Sequence, residues 1–92
     1  MTFESYFKTT PSGEWQSAGY ADCPASEYLG FLKVRKDLAL HHFELDENLI
    51  TLWFANKIGI VTHRDELLFD TEAEADDFVG LLPEPTDSPE AS

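Results

Sequence analysis

The chain has 92 residues, of which 42% are hydrophobic and 13% aromatic, and its formal net charge at pH 7 is −12. This length fits one domain with a thin core, and this composition excludes a disordered chain. The strong negative charge disfavours nucleic acid and anionic lipid as direct ligands and favours a basic partner.

The first 20 residues predict a β-hairpin. Residues 2–8 alternate between two sides of an extended strand, with Phe3 and Phe7 on one side. The following Thr-Pro-Ser-Gly segment at residues 10–13 is typical of a turn, because proline presets φ and glycine tolerates positive φ. Residues 15–20 then return as a second strand.

A helix is predicted near residues 25–36. The Pro-Ala-Ser-Glu segment before it is typical of a helix start, with Ser26 as the N-cap, and apolar side chains follow at helical spacing. Gly30 weakens this prediction by about 1 kcal/mol relative to alanine. Read with a period of two, the same residues also fit a strand.

Residues 38–70 predict an antiparallel meander. Apolar runs rich in β-branched and aromatic residues lie at residues 38–45, 49–55, 58–63 and 67–69. The polar breaks between them are Asp46-Glu47-Asn48, Asn56-Lys57 and Arg64-Asp65-Glu66. Loops of two or three residues cannot make a parallel crossover, so successive strands run antiparallel. Residues 49–55 are apolar on both faces, which predicts the central strand, covered on both sides or using one side for binding.

A second helix is predicted over about residues 72–82. Thr71 and Glu74 have the spacing of a capping box, and the apolar side chains that follow recur on one stripe. Pro83 cannot continue the helix, and residues 83–92 contain no large apolar side chain, which predicts a disordered acidic tail. We therefore predict a single α+β domain over residues 1–82, with an antiparallel sheet of four to six strands and two helices.

Negative charge is concentrated at the C-terminal end. Residues 1–64 hold eight Asp or Glu against six Lys or Arg, whereas residues 65–92 hold ten carboxylates and no Lys or Arg. The candidate partner-binding carboxylates are Asp65, Glu66, Asp70, Glu72, Glu74, Asp76 and Asp77. Acids in a first helical turn are also favoured by the helix dipole, and the others fit a solvated face. The absence of interleaved cations favours binding, with Trp53 as a secondary anchor.

Metal and catalytic sites are not predicted. His41, His42 and His63 carry potential ligand atoms together with Glu44 or Asp65. On a regular strand, however, the adjacent histidines point to opposite faces, and the chain lacks the short His or Cys spacings of known metal motifs. We therefore expect no metal and no cofactor.

Cys23 is a weak candidate nucleophile. The Asp22 carboxylate beside it disfavours the thiolate, and Pro24 follows it. A single cysteine cannot form an internal disulfide, which indicates a reducing compartment. The chain also has neither a basic segment followed by an apolar run at its start nor an apolar stretch near the roughly 20 residues of a spanning helix. We expect a cytoplasmic protein that is not an enzyme and does not enter a membrane.

One basic cluster, formed by Lys33, Arg35 and Lys36, raises the alternative of single-stranded nucleic acid stacking on Trp53 and Phe54. Ion pairing of these cations with the chain's own carboxylates is the simpler interpretation, because three cations stand against a net charge of −12. The glycines are isolated and form no phosphate-binding loop. Direct DNA binding is not expected.

In size, charge and architecture, the chain resembles the small acidic inhibitors encoded by phages and mobile elements. That class includes anti-CRISPR and anti-restriction proteins, some of which mimic DNA, and the feature in common is the acidic run Asp70, Glu72, Glu74, Asp76 and Asp77. The resemblance implies a large nucleic-acid-handling partner in a bacterial cytoplasm. An immunity or antitoxin protein that neutralises a basic toxin would carry the same charge pattern. A small cytosolic assembly subunit that uses an exposed sheet face is a further alternative.

Overall fold

The computed structural model describes residues 1–10, 12–35 and 37–83. The elements in chain order are β1 (Thr2–Phe7), β2 (Gln16–Asp22), α1 (Ala25–Val34), β3 (Ala39–Asp46), β4 (Leu49–Ala55), β5 (Val61–Leu68) and α2 (Glu72–Val79). This is the predicted α+β fold, with one five-stranded antiparallel sheet and two helices. Apart from Pro83, the predicted acidic tail lies outside the described residues.

The sheet has the strand order β2-β1-β5-β4-β3. The predicted hairpin of β1 with β2 and the predicted meander of β3, β4 and β5 are both confirmed. The prediction that residues 49–55 form the central strand is wrong, because β1 pairs with the free side of β5 and makes β5 the middle strand. Local residue pattern cannot reveal this pairing, since β1 and β5 are far apart in the chain.

Residues 58–69 were expected to form two strands with a polar loop at residues 64–66, and this prediction is wrong. β5 is continuous because β1 and β4 pair with it from both sides. The loop between β4 and β5 is instead organised by Asn56, whose Oδ1 atom accepts hydrogen bonds of 3.1 Å from the Ile58 and Ile60 amides. Gly59 has a φ of 86°, which a side chain would disfavour.

α1 is a helix rather than a strand, but it ends at Val34, before the predicted end at residue 36. The predicted Ser26 cap is wrong. Pro24 is the N-cap and makes no side-chain capping bond, while its carbonyl accepts the Glu27 and Tyr28 amides at 3.0 and 3.2 Å. Proline suits this position because its fixed φ is compatible with a helix start.

α2 starts as predicted and ends earlier, at Val79. The Thr71 hydroxyl oxygen accepts a hydrogen bond of 3.2 Å from the Glu74 amide. This confirms the Thr71 half of the capping box. Leu81 and Leu82 continue the chain in tight turns, with their amides bonded to the carbonyls of Phe78 and Val79.

Both helices pack on the same face of the sheet. Residues directly opposite each other in register share a face, and one such row joins Phe3, Leu67 and Ile50. The Tyr28 ring of α1 lies 5.0 Å from the Phe3 ring and 6.2 Å from the Phe78 ring of α2. The core cluster consists of Tyr28, Leu40, Ile50, Leu52, Phe54, Leu67, Phe69, Ala75 and Phe78. Neither helix covers the opposite sheet face.

Each of the two edge strands contains a β-bulge. In β2, Gly19 pairs with Ser5 and Ser17 pairs with Tyr6, which leaves one extra residue between them. In β3, His41 is the extra residue between the paired positions on either side. A bulge bends its strand and interrupts the regular ladder.

Candidate partner-binding surface

Five of the seven predicted carboxylates lie together and exposed on α2 and the segment before it. We call Asp70, Glu72, Glu74, Asp76 and Asp77 the acidic helix surface. Ion pairs within the described part of the chain use the carboxylates of Asp22, Asp65 and Glu66, and none uses this surface. The surface therefore carries negative charge that its described surroundings do not neutralise.

α2 is held on the sheet at two points. Ala75 and Phe78 are buried in the core, and the Phe78 ring lies 5.2 Å from the Phe69 ring. The segment that leads into α2 is tied to the turn between β3 and β4 by two hydrogen bonds. Asn48 Nδ2 donates to the Phe69 carbonyl at 2.7 Å, and the Phe69 amide donates to the Asn48 carbonyl at 2.9 Å. The carboxylates thus project from a firmly positioned element.

An open depression of about 520 Å³ extends the acidic helix surface toward the β3–β4 turn. It is lined by Leu45, Glu47, Glu72, Ala73 and Asp76. Glu47, which sequence reasoning did not include, therefore lies beside α2. Its φ of 55° places it in the left-handed region of the tight turn. The sequence identifies the turn, but only the packing of α2 against β3 and β4 brings Glu47 to this surface.

Asp65, a predicted partner-binding carboxylate, does not lie on this surface. It faces the helix side of the sheet with 2% of its surface exposed. Its carboxylate accepts a hydrogen bond from the Tyr28 hydroxyl, and its Oδ2 atom lies 3.9 Å from Arg35 Nη1. The Arg35 guanidinium also lies 4.9 Å from the centre of the Phe54 ring. For Arg35, pairing with the chain's own carboxylate is confirmed, whereas Lys36 lies outside the described residues.

The environment of Asp65 shifts two neighbouring pKa values. Burial raises the pKa of Tyr28, and the Asp65 charge adds to this effect, so the hydroxyl stays protonated and donates. Burial also lowers the pKa of His63, and the Arg35 charge acts in the same direction. These groups form an internal polar cluster that connects α1 to β5.

Glu66 lies on the open sheet face, where its Oε2 atom is 3.2 Å from Arg64 Nη2. The Arg64 guanidinium is also 4.3 Å from the centre of the Tyr6 ring and 4.9 Å from that of Trp15. Glu66 is therefore neutralised locally, on the opposite side of the sheet from α2.

Trp53 is also on the open sheet face. Its ring stacks on His42 with centroids 4.4 Å apart, and register places it opposite Arg64. Tyr6, Arg64, Trp53 and His42 thus form one row across four strands. A single flat partner surface cannot contact both this row and the acidic helix surface, so the structure separates Trp53 from the predicted carboxylates.

His41 and His42 do not point apart as strict alternation predicts. The bulge at His41 brings their Nδ1 atoms to 2.8 Å from each other. Across the described ranges, no group of three or more His, Cys, Asp or Glu residues is placed to hold a metal ion. Cys23 is half-buried, and burial raises the pKa of its thiol, with the Glu27 charge acting in the same direction.

No helix within residues 1–10, 12–35 and 37–83 has the length and apolar character needed to cross a membrane. Comparison of the chain with protein-family models, with curated proteins and with solved structures found no match.

Proposed function

We propose that this chain is a non-enzymatic binding protein whose acidic helix surface blocks a basic, nucleic-acid-handling surface of a bacterial partner, as phage anti-CRISPR and anti-restriction proteins do. One observation carries the proposal. Five exposed carboxylates lie on a firmly packed helix and its entrance, without ion-pair partners in the described part of the chain. Its setting is the bacterial cytoplasm.

The physical mechanism is electrostatic substitution for nucleic acid. Glu72 and Asp76 are one helical turn apart, which separates them by about 6 Å along the axis. A Lys or Arg cluster that normally neutralises phosphates meets a comparable row of negative charge here. Binding relieves the repulsion between neighbouring carboxylates, and the long-range field accelerates encounter. The acidic helix surface therefore competes with nucleic acid for the same cations.

The test combines charge reversal with salt dependence. The immobilised chain is used to capture proteins from a bacterial lysate at low and high NaCl, beside a variant carrying Glu72→Lys, Asp76→Lys and Asp77→Lys. We expect a basic nucleic-acid-binding protein to be retained at low salt, and to bind the variant at least about tenfold more weakly. Added nucleic acid should displace it.

A matched control reverses three exposed carboxylates elsewhere, through Glu14→Lys, Asp37→Lys and Glu44→Lys, and changes the net charge by the same amount. This control should retain most of the binding. Equal capture by all three proteins, or capture that does not respond to salt, would contradict a role for the acidic helix surface.

The open sheet face supports a second candidate, a subunit of a larger assembly. Its row of Tyr6, Arg64, Trp53 and His42 is covered by neither helix. Sedimentation over a range of concentrations, with Trp53→Ser beside the unmodified chain, tests this candidate. A dimer that the substitution dissociates would favour assembly through the sheet.

A further inference from the structure

Two largely apolar depressions, lined by residues of α1, of α2 and of the segments that flank α2, share Leu81 and together form a groove. One end, of about 140 Å³, is lined by Leu29, Leu32, Lys33, Leu81 and Pro83. The other end, of about 270 Å³, is lined by Ala25, Phe69, Glu74, Asp77, Phe78 and Leu81. Leu81 belongs to both ends and is 63% exposed. We call this feature the interhelical groove.

We infer that the interhelical groove seats one large apolar side chain of the basic partner, with that partner's Lys or Arg residues against Glu74 and Asp77. The inference rests on the proposed function and specifies the chemistry of the partner segment. Glu74 and Asp77 carry it, because they belong both to the acidic helix surface and to the rim of the groove. A segment that approaches those carboxylates is therefore brought to the apolar site as well.

The size of the narrow end fits a single side chain. Apolar cavities of about 150 Å³ in proteins accept a molecule as large as benzene. A leucine, methionine or phenylalanine side chain is of similar bulk, and removing it from water is favourable. An apolar anchor inside a ring of charged contacts is also the usual anatomy of a protein interface.

The two ends of the groove carry opposite charges, which predicts how a basic partner segment is oriented in it. Lys33 lies at the narrow end, whereas Glu74 and Asp77 lie at the wide end. The cations of the partner should therefore lie on the side of its apolar anchor that faces Glu74 and Asp77, and they should be absent from the side that faces Lys33.

Two other occupants match this chemistry poorly. Residues 84–92 of the chain itself contain three carboxylates and no large apolar side chain. A second copy carries the same net charge of −12, so approach of two acidic helix surfaces is repulsive. A basic segment with an apolar anchor is the occupant that complements both the apolar side chains and the carboxylates that line the groove.

The test is an NMR titration of the full ¹⁵N-labelled chain with two synthetic peptides. One peptide has the sequence Lys-Lys-Leu-Ser-Ser, with its cations on one side of the apolar anchor only, and the other has serine in place of leucine. We expect the leucine peptide to bind about tenfold more tightly, with amide shifts at Leu29 and Leu81. Leu81→Ser should remove this preference. Ile58→Ser, at a side chain that is 78% exposed and outside the groove, should preserve it.

The outcomes separate the groove from the acidic surface. Equal affinity of the two peptides for the unmodified chain, or a preference that survives Leu81→Ser, overturns the groove assignment while leaving the acidic surface intact. Failure of both peptides to shift α2 amides overturns the proposed function together with the groove assignment. In the free chain, NOEs from residues 84–92 to Leu29, or groove shifts that depend on protein concentration, would identify another occupant and overturn the inference.

Discussion

At Asp65, a carboxylate from the acidic end of the sequence is enclosed by a tyrosine hydroxyl, a guanidinium and the apolar core. The Arg35 Nη1 atom is buried and has no hydrogen-bond partner among the described residues, so the Asp65 charge 3.9 Å away is what balances it. Groups placed in this way depend on each other, because removing one leaves the other buried and uncompensated. The role of Asp65 is therefore structural.

Replacing Asp65 with alanine should lower the free energy of unfolding by about 3 kcal/mol. The Tyr28 hydroxyl would lose its hydrogen-bond acceptor, and the Arg35 guanidinium would lose its ion-pair partner. Urea unfolding followed by tryptophan fluorescence measures the change. Asp77→Ala, at an exposed carboxylate, should stay within about 0.5 kcal/mol of the unmodified chain. Similar losses for the two variants would show that Asp65 is not the buried partner described above.

The burial of Asp65 could not be predicted from the sequence. Asp65 and Asp76 both lie in polar, acidic stretches, and the sequence offers no local signal that one is buried and the other exposed. The difference arises because β5 is paired on both sides, which extends the strand through residues 64–66 and turns Asp65 toward α1. Arg64 and Glu66, its neighbours, point to the opposite face for the same reason.

Among the secondary-structure elements, local signals predicted the hairpin, the meander and α2 well. Short loops dictate antiparallel neighbours, and a threonine three residues before a glutamate defines a helix start. Local sequence patterns did not predict the contacts that form between residues distant in the chain. The pairing of β1 with β5 and the proximity of Glu47 to α2 both require tertiary contacts that residue pattern does not encode.

The two helix starts allow a direct comparison of capping. Thr71→Ala should lower the free energy of unfolding by about 1 kcal/mol, because its hydroxyl is the acceptor for the Glu74 amide. Ser26→Ala should have almost no effect, since Pro24 is the N-cap of α1 and the predicted serine cap is not formed. Thermal and urea unfolding of both variants measure the difference. A larger loss for Ser26→Ala than for Thr71→Ala would contradict the assigned caps.

On the scale of the whole molecule, charge is distributed very unevenly. The last 28 residues hold ten carboxylates and no Lys or Arg, so most of the net charge of −12 lies at one end of the sequence. The molecule measures 34 × 32 × 24 Å. At 0.01 M salt the Debye length is about 30 Å, so these charges repel one another across nearly the whole molecule.

Salt should therefore stabilise this chain. Raising NaCl from 0.01 to 0.5 M should increase the free energy of unfolding by about 1 kcal/mol, or Tm by about 5 °C, as the repulsion is screened. Scanning calorimetry at the two salt concentrations measures the shift. The variant with Glu72→Lys, Asp76→Lys and Asp77→Lys should show a smaller shift. A Tm that falls with added NaCl would mean that favourable ion pairs outweigh the repulsion.

The β-bulges in the edge strands β2 and β3 affect how molecules of this chain associate at high concentration. A sheet whose outermost strands are regular offers open amides and carbonyls to any neighbouring chain, and fibrous aggregation starts at such sites. Here each border strand is interrupted by an inserted residue, which bends the strand and shortens its regular part. The inserted residues therefore disfavour edge-to-edge pairing between molecules of this chain.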